Sequence, residues 1–220
     1  MTHPTRVSFR LLPTVLFTLW SLLSPIAEAA PNTLDPMANA ALTRITANPK
    51  TRAWYQSGLE NHKKWATLVD AVLSDAGLPA WLSAVPLVES GYLNLGAPED
   101  LTHGVASSRA PGGPGRGLWM FIPETARTYG LVVEAGNDQR YDVTLETAAA
   151  IELLTDLHGQ FGDWDLALAA YNQGPRVVEA AIAHGGTRNV ATLVESGLLN
   201  GYVPEVHAAA AILAQPSLVE

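Results

Sequence analysis

The acidic side chains are the residues of this sequence best placed to do chemistry, because other common catalytic patterns are missing. There is no phosphate-binding glycine loop, no dinucleotide-binding glycine pattern after a strand, and no His-Glu-x-x-His helix. The six histidines (3, 62, 103, 158, 184 and 207) are scattered without metal-ligand spacing. Ser90 and Ser196 lack the strand–turn–helix setting of a hydrolase nucleophile. With no cysteine, thiol catalysis, thiolate metal sites and thiol redox chemistry are excluded. Most acids have simple roles. Asp142, Asp163 and Asp165 suit helix N-caps. Glu146, Glu152 and Glu179 fall on helix faces that read as solvated, and Glu124 sits in a first helical turn, where the dipole favours an anion. Glu89 is different. It follows the apolar run Val85-Pro86-Leu87-Val88, one turn from Leu82 and Val85, near the C-terminal end of its helix. Burial and the helix dipole would both favour its protonated form. A carboxyl that keeps its proton near neutral pH suits general-acid cleavage of a glycosidic bond. On these grounds alone, a Glu paired with an Arg at a helix end explains the residue equally well.

Four motifs then occur in order along the chain. They are Val88-Glu89-Ser90-Gly91-Tyr92, then Gly117-Leu118-Trp119-Met120-Phe121-Ile122-Pro123, then Ala169-Ala170-Tyr171-Asn172-Gln173-Gly174, then Gly201-Tyr202-Val203-Pro204. Each is short, but the ordered set is specific. It closely resembles the soluble lytic transglycosylase family, which is goose-type-lysozyme-like, and within it the branch similar to membrane-bound lytic transglycosylase D. The likeness covers residues 65–215.

The resemblance implies a catalytic acid/base at Glu89, beside Ser90 of the same motif. It implies substrate contacts from Ser90, Trp119, Met120, Tyr171 and Asn172, and from Tyr202 near the acid. The implied reaction cleaves the β-1,4 bond between N-acetylmuramic acid and N-acetylglucosamine and leaves a 1,6-anhydromuramic acid end. A single Glu acts first as acid and then as base, with no cofactor and no metal. Met120 departs from the family, which usually carries Gln there. Gln can donate a hydrogen bond, whereas Met cannot and more often packs. Trp119 could be a sugar platform or core, Trp81 and Trp164 read as core, and Tyr92 and Tyr129 read as structural. Two alternatives stay open. One is a lysozyme-type hydrolase, for which Glu99 and Asp100 are the nearby second carboxylates. The other is a weakly active peptidoglycan-binding module of the same fold.

The elements that must position these residues are helical. Apolar spacing predicts helices over 34–47, 53–76, 79–89, 123–129, 142–161, 163–171, 176–184 and 204–214. Pro86 should kink the 79–89 helix. Residues 94–117, rich in Gly and Pro, read as a long loop. No segment alternates as a strand. The expected fold is mainly α, a single lysozyme-like helical domain with a substrate groove.

Residues 1–29 read as a secretory signal peptide, with Arg6 and Arg10, an apolar run from Leu11 to Ile26, and Ala27-Glu28-Ala29 before the cut. The run is shorter than the ~20 apolar residues of a bilayer span, although an uncleaved anchor is the competing reading. Residues 30–64 would form an N-terminal helical segment and 65–215 the lytic transglycosylase domain. The chain carries a formal net charge of −8. Without Arg6, Arg10 and Glu28, 11 basic residues face 20 acidic ones, a net charge of −9. That argues against nucleic acid as a partner. The expected partner is the peptidoglycan glycan strand, met by a periplasmic or otherwise exported monomer. No wall-binding repeat follows residue 215, so targeting would come from a cell-wall or secretion-machinery protein.

Overall fold

The computed structural model describes residues 35–96 and 115–220. The expected signal peptide, and Glu99 and Asp100 of the 94–117 loop, lie outside them.

Two helices open the described chain, α1 (Pro36–Ala47) and α2 (Pro49–Asp75). Asp35 caps α1 by accepting from the Met37 and Ala38 amides. Asn48 ends α1 and caps α2, accepting from the Lys50 and Thr51 amides. A proline follows each cap in the first helical position, where its missing amide costs no helix bond. This cap–proline pair starts α2 at residue 49, ahead of the expected 53. At 27 residues α2 is ~40 Å long. The expected boundary between residues 64 and 65 falls inside this helix.

The segment predicted as one helix over 79–89 is two. Ala80–Ser83 form a 3-10 turn and α3 runs from Ala84 to Ser90. Pro86 therefore does not kink a helix interior. It is the third residue of α3, in the first turn, whose amides have no acceptor within the helix.

After the undescribed part of the loop come α4 (Pro123–Thr128) and an antiparallel ribbon of β1 (Val133–Glu134) and β2 (Asn137–Asp138). Val133 pairs with Asp138 and Glu134 with Asn137. The ribbon corrects the expectation of no strands, since two-residue strands are too short to show alternation.

Next come α5 (Val143–Phe161), α6 (Trp164–Gln173), α7 (Pro175–Gly185), α8 (Val190–Glu195) and α9 (Tyr202–Ala214). Asp142 caps α5 and Asp163 caps α6, as their types predict. Asp165 is not a cap; it pairs with His207 instead.

One core joins these helices and includes Leu87, Leu118, Leu154, Leu168 and Ile212. Ala41 and Ile45 of α1 belong to it, and α1 packs on α9, so residues 36–64 share a single core with the motif-bearing helices. No helix among the described residues is long and apolar enough to cross a membrane. The apolar face of α5 is rotated from expectation. Leu145 is 40% exposed, while Glu146, read as solvated, is 0% exposed.

His207 of α9 bonds Asp165 at 2.7 Å and lies tilted against the Trp81 ring at 5.0 Å. Burial alone would lower its pKa, but the Asp165 hydrogen bond and charge, helped by Asp35, raise it above the usual histidine value of 6.5. A raised histidine pKa adds stability below the unfolded value, and that stability is lost as pH rises through the folded value. The melting-temperature gap between wild type and His207→Gln should therefore be larger at pH 6 than at pH 9. A gap that does not change with pH would show that the pair contributes no charge-dependent stability.

Candidate active site

Glu89 is the second-last residue of α3 and is 8% exposed. Every residue of this helix is buried. The helix stops because Gly91 (φ 61°) and Tyr92 (φ 57°) both take left-handed conformations. Gly91 does so at little cost, and Tyr92 must be held there. Its ring is buried, its hydroxyl donates to the Ser83 carbonyl at 2.6 Å, and the His62 ring meets it edge-on at 4.7 Å. Helix α2 braces the same bend. Asn61 donates to the Gly91 carbonyl at 2.9 Å, and Gly58 lets the Leu87 side chain come so close that a Cβ would overlap it. Ser90, expected as a substrate contact, is fully buried and donates its hydroxyl to the Pro86 carbonyl at 3.1 Å. Its side chain completes the helix end and does not face a ligand.

The Gly117–Phe121 stretch is a tight loop closed by the Arg116–Phe121 bridge, with the Arg116 amide donating to the Phe121 carbonyl at 3.1 Å. A second bridge joins Leu95 to Gly117 and pins the base of the long loop. Leu118, Trp119 and Phe121 turn into the core. The Trp119 indole is 1% exposed and donates to the Thr147 hydroxyl at 3.0 Å, so it packs as core and offers no open face to a sugar. Met120 is half-buried, with its terminal methyl against Gly115. It adopts φ 55°, and with Tyr92 it is one of the two non-glycine residues at positive φ among the described residues. Both lie in the motifs that build this site, where strained backbone tends to mark function.

Tyr171, near the end of α6, connects the two motifs. Its hydroxyl donates to the Trp119 carbonyl at 2.6 Å. Burial, then the Glu89 and Glu146 carboxyls, push that hydroxyl well above the ordinary tyrosine range. Tyr171 thus lies close enough to Glu89 to feel its charge. Asn172 is exposed, and its side-chain oxygen accepts from Asn200 Nδ2 at 2.8 Å. The Asn200 side-chain oxygen accepts from the Tyr202 amide at 3.0 Å, and its own amide donates to Gln173 Oε1 at 3.2 Å. Tyr202 is 2% exposed at the start of α9. Asn200 thereby ties the end of α6 to the start of α9, joining two of the sequence motifs.

Sequence reasoning missed Asn200 and the burial of Glu146. A lone neutral residue in a loop carries no pattern. An acid in an otherwise apolar helix face was the available signal for Glu146.

Asn200→Ala removes the partner of Asn172 from an exposed position. It should cost about 1–2 kcal/mol of stability, because the Tyr202 amide at the start of α9 also loses its acceptor, and should lower site function by about fivefold, since Asn172 then loses its fixed orientation. Urea unfolding and a peptidoglycan-solubilising assay on one preparation check both halves.

With this geometry in place, the chain can be compared with known proteins. Residues 69–194 match the family model described as the transglycosylase SLT domain. The chain is 34% identical over 116 residues to membrane-bound lytic murein transglycosylase D of Escherichia coli K12, covering 52% of this chain and 23% of that protein. It is 35% identical over 108 residues to a putative tributyltin chloride resistance protein of Alteromonas sp. strain M-1, covering 49% of this chain and 46% of that protein. The matched regions thus span less than half of either relative. The family model covers more than half of the present chain and includes the first three of the four ordered motifs, so this protein belongs to the transglycosylase SLT domain family.

Proposed function

We propose that this protein is a peptidoglycan lytic transglycosylase whose acid and base is Glu89. One observation carries the reading. A carboxyl group only 8% exposed sits at the C-terminal end of a fully buried helix, with the Tyr171 hydroxyl within reach of its charge. The family and the name of the Escherichia coli relative support the substrate class.

The reaction needs one carboxyl. Protonated Glu89 donates to the bridging oxygen as the bond from C1 of N-acetylmuramic acid breaks. The 2-acetamido group of the same sugar stabilises the cation at C1, one of the recognised exceptions to two-carboxylate glycoside cleavage. Glu89, now ionised, takes the proton from the C6 hydroxyl as that oxygen attacks C1. The proton count balances, Glu89 is restored, and the product carries a 1,6-anhydro ring with no water consumed. Because the nucleophile belongs to the same sugar, its effective concentration is ~10⁵ M or higher in well-oriented cases. Asn172, Met120 and Tyr171 are the proposed sugar contacts, and Tyr202 supports them from the start of α9. The protein is proposed to act after export to the periplasm, as a monomer on glycan strands. A cell-wall or secretion-machinery protein would direct it.

Digestion of purified peptidoglycan with mass analysis of the fragments tests the reading. Wild type should release fragments ending in anhydromuramic acid, and Glu89→Gln should be slower by about 10²–10⁴-fold, the usual worth of general acid–base catalysis. Reducing ends in place of anhydro ends would make the protein a hydrolase. Undiminished activity in Glu89→Gln would remove the carboxyl from the mechanism.

Position 120 gives a second test. Met120→Gln restores a side chain that can donate and accept hydrogen bonds. It should raise kcat/KM by up to about tenfold, the worth of one neutral hydrogen bond. An unchanged or lower value would assign Met120 to packing.

A further inference from the structure

Glu146 is a buried carboxyl that the proposed mechanism does not use. It stands in the first turn of α5 and is 0% exposed. Both oxygens face one stretch of backbone. Oε1 accepts from the Leu118 amide at 2.8 Å and Oε2 from the Trp119 amide at 3.4 Å. Gly117, just before them, has φ 80°. A Cβ at that position would overlap the Glu146 carboxyl and the Arg140 carbonyl, so glycine is what allows this close approach. The neighbouring Arg140 guanidinium bonds Asp138 and the Phe121 carbonyl.

Burying a carboxyl here is costly. Desolvation raises the pKa of Glu146 well above the usual carboxylate range against the two amide bonds, and Asp142 adds to the rise. An apolar side chain of similar volume would fill the same space with less desolvation. What it could not do is accept from the Leu118 and Trp119 amides. Those bonds fix the backbone entering Trp119, whose own carbonyl, in the next peptide, accepts the Tyr171 hydroxyl.

We infer that Glu146 is a positioning residue: its carboxyl shapes the turn from Gly117 to Met120 and, through the Trp119 carbonyl, fixes the Tyr171 hydroxyl in the site that holds Glu89. This rests on Glu89 being the acid of the reaction. Glu146 touches no substrate in this role and acts through the backbone it holds.

Two variants separate positioning from packing. Glu146→Gln keeps an oxygen for the Leu118 amide, whereas Glu146→Met keeps the volume and loses both acceptors. On purified peptidoglycan, Glu146→Met should lose at least ~10-fold in kcat, with KM within about threefold of wild type, as expected for a small misplacement near the reacting groups. Its melting temperature should fall by a few degrees, the cost of leaving two buried amides without an acceptor. Glu146→Gln should stay within about threefold of wild-type kcat, because the shorter of the two hydrogen bonds survives. Wild-type kcat in Glu146→Met, or an equal loss in both variants, overturns the inference. So does failure of Glu146→Met to fold while Glu146→Gln folds, since the acceptor would then serve the fold and not the site. If wild type itself releases no fragments, the proposed function falls, and nuclear magnetic resonance decides the inference separately. Glu146→Met should then speed exchange of both the Leu118 and Trp119 amides and shift the Tyr171 ring signals, while Glu146→Gln leaves the Leu118 amide and the Tyr171 signals in place. Unmoved Tyr171 signals would overturn it.

Discussion

Holding the Glu89 carboxyl inside the protein, at the C-terminal end of α3, sets the demands that the surrounding elements meet. A helix end of this kind offers carbonyls, not amides, and its dipole opposes a negative charge. The chain must also stop helical structure at once, or the carboxyl would continue along a buried cylinder. Two successive left-handed residues make that stop, and only the first is glycine. The second, Tyr92, is kept in place by a buried ring, a hydrogen bond to Ser83 and the edge of His62. The strain beside Glu89 is thus offset by contacts from another helix, an arrangement common at functional sites.

The same logic shapes the other side of the site. The loop from Gly117 to Phe121 places three side chains in the core and leaves Met120 half-buried. Its backbone polar groups need partners, and they come from side chains that are themselves buried. Glu146 serves the amides of Leu118 and Trp119, Arg140 serves the Phe121 carbonyl, and Tyr171 serves the Trp119 carbonyl. A buried polar group is tolerable when its hydrogen bonds are made, and a network of this kind specifies one conformation of the loop.

Much of the helical frame was legible in the residues. Asp142 before an apolar helix and Gly162 after it are local signals that tertiary packing had no reason to override, whereas the Asn48–Pro49 start of α2 was passed over for residue 53. Three things were not legible. The face of α5 was misjudged because both Leu145 and Ala149 fit an apolar stripe, while the true interior includes Glu146 and Thr147, whose polar partners lie far away in sequence. The ribbon at Val133–Asp138 and the six-residue α8 are too short to carry periodicity. Within the candidate site, the ordered motifs pointed to Glu89, Tyr171 and Asn172. Motif membership did not tell a side chain from its backbone, however. Trp119 contributes its carbonyl, and its indole belongs to the core.

Helix α2 has a consequence for where this chain can be trimmed. Within a little over two turns, its residues reach three distant parts of the chain. Tyr55 bonds Glu205 on α9, Gln56 bonds the carbonyl of Val219 near the C-terminus, and Asn61 bonds the carbonyl of Gly91 behind Glu89. Trp54 lies against Gly91 as well. Cutting the protein to residues 65–215 would remove most of this beam together with the tail that rests on it. The helix end bearing Glu89 would then lose its backing, although every motif residue would still be present.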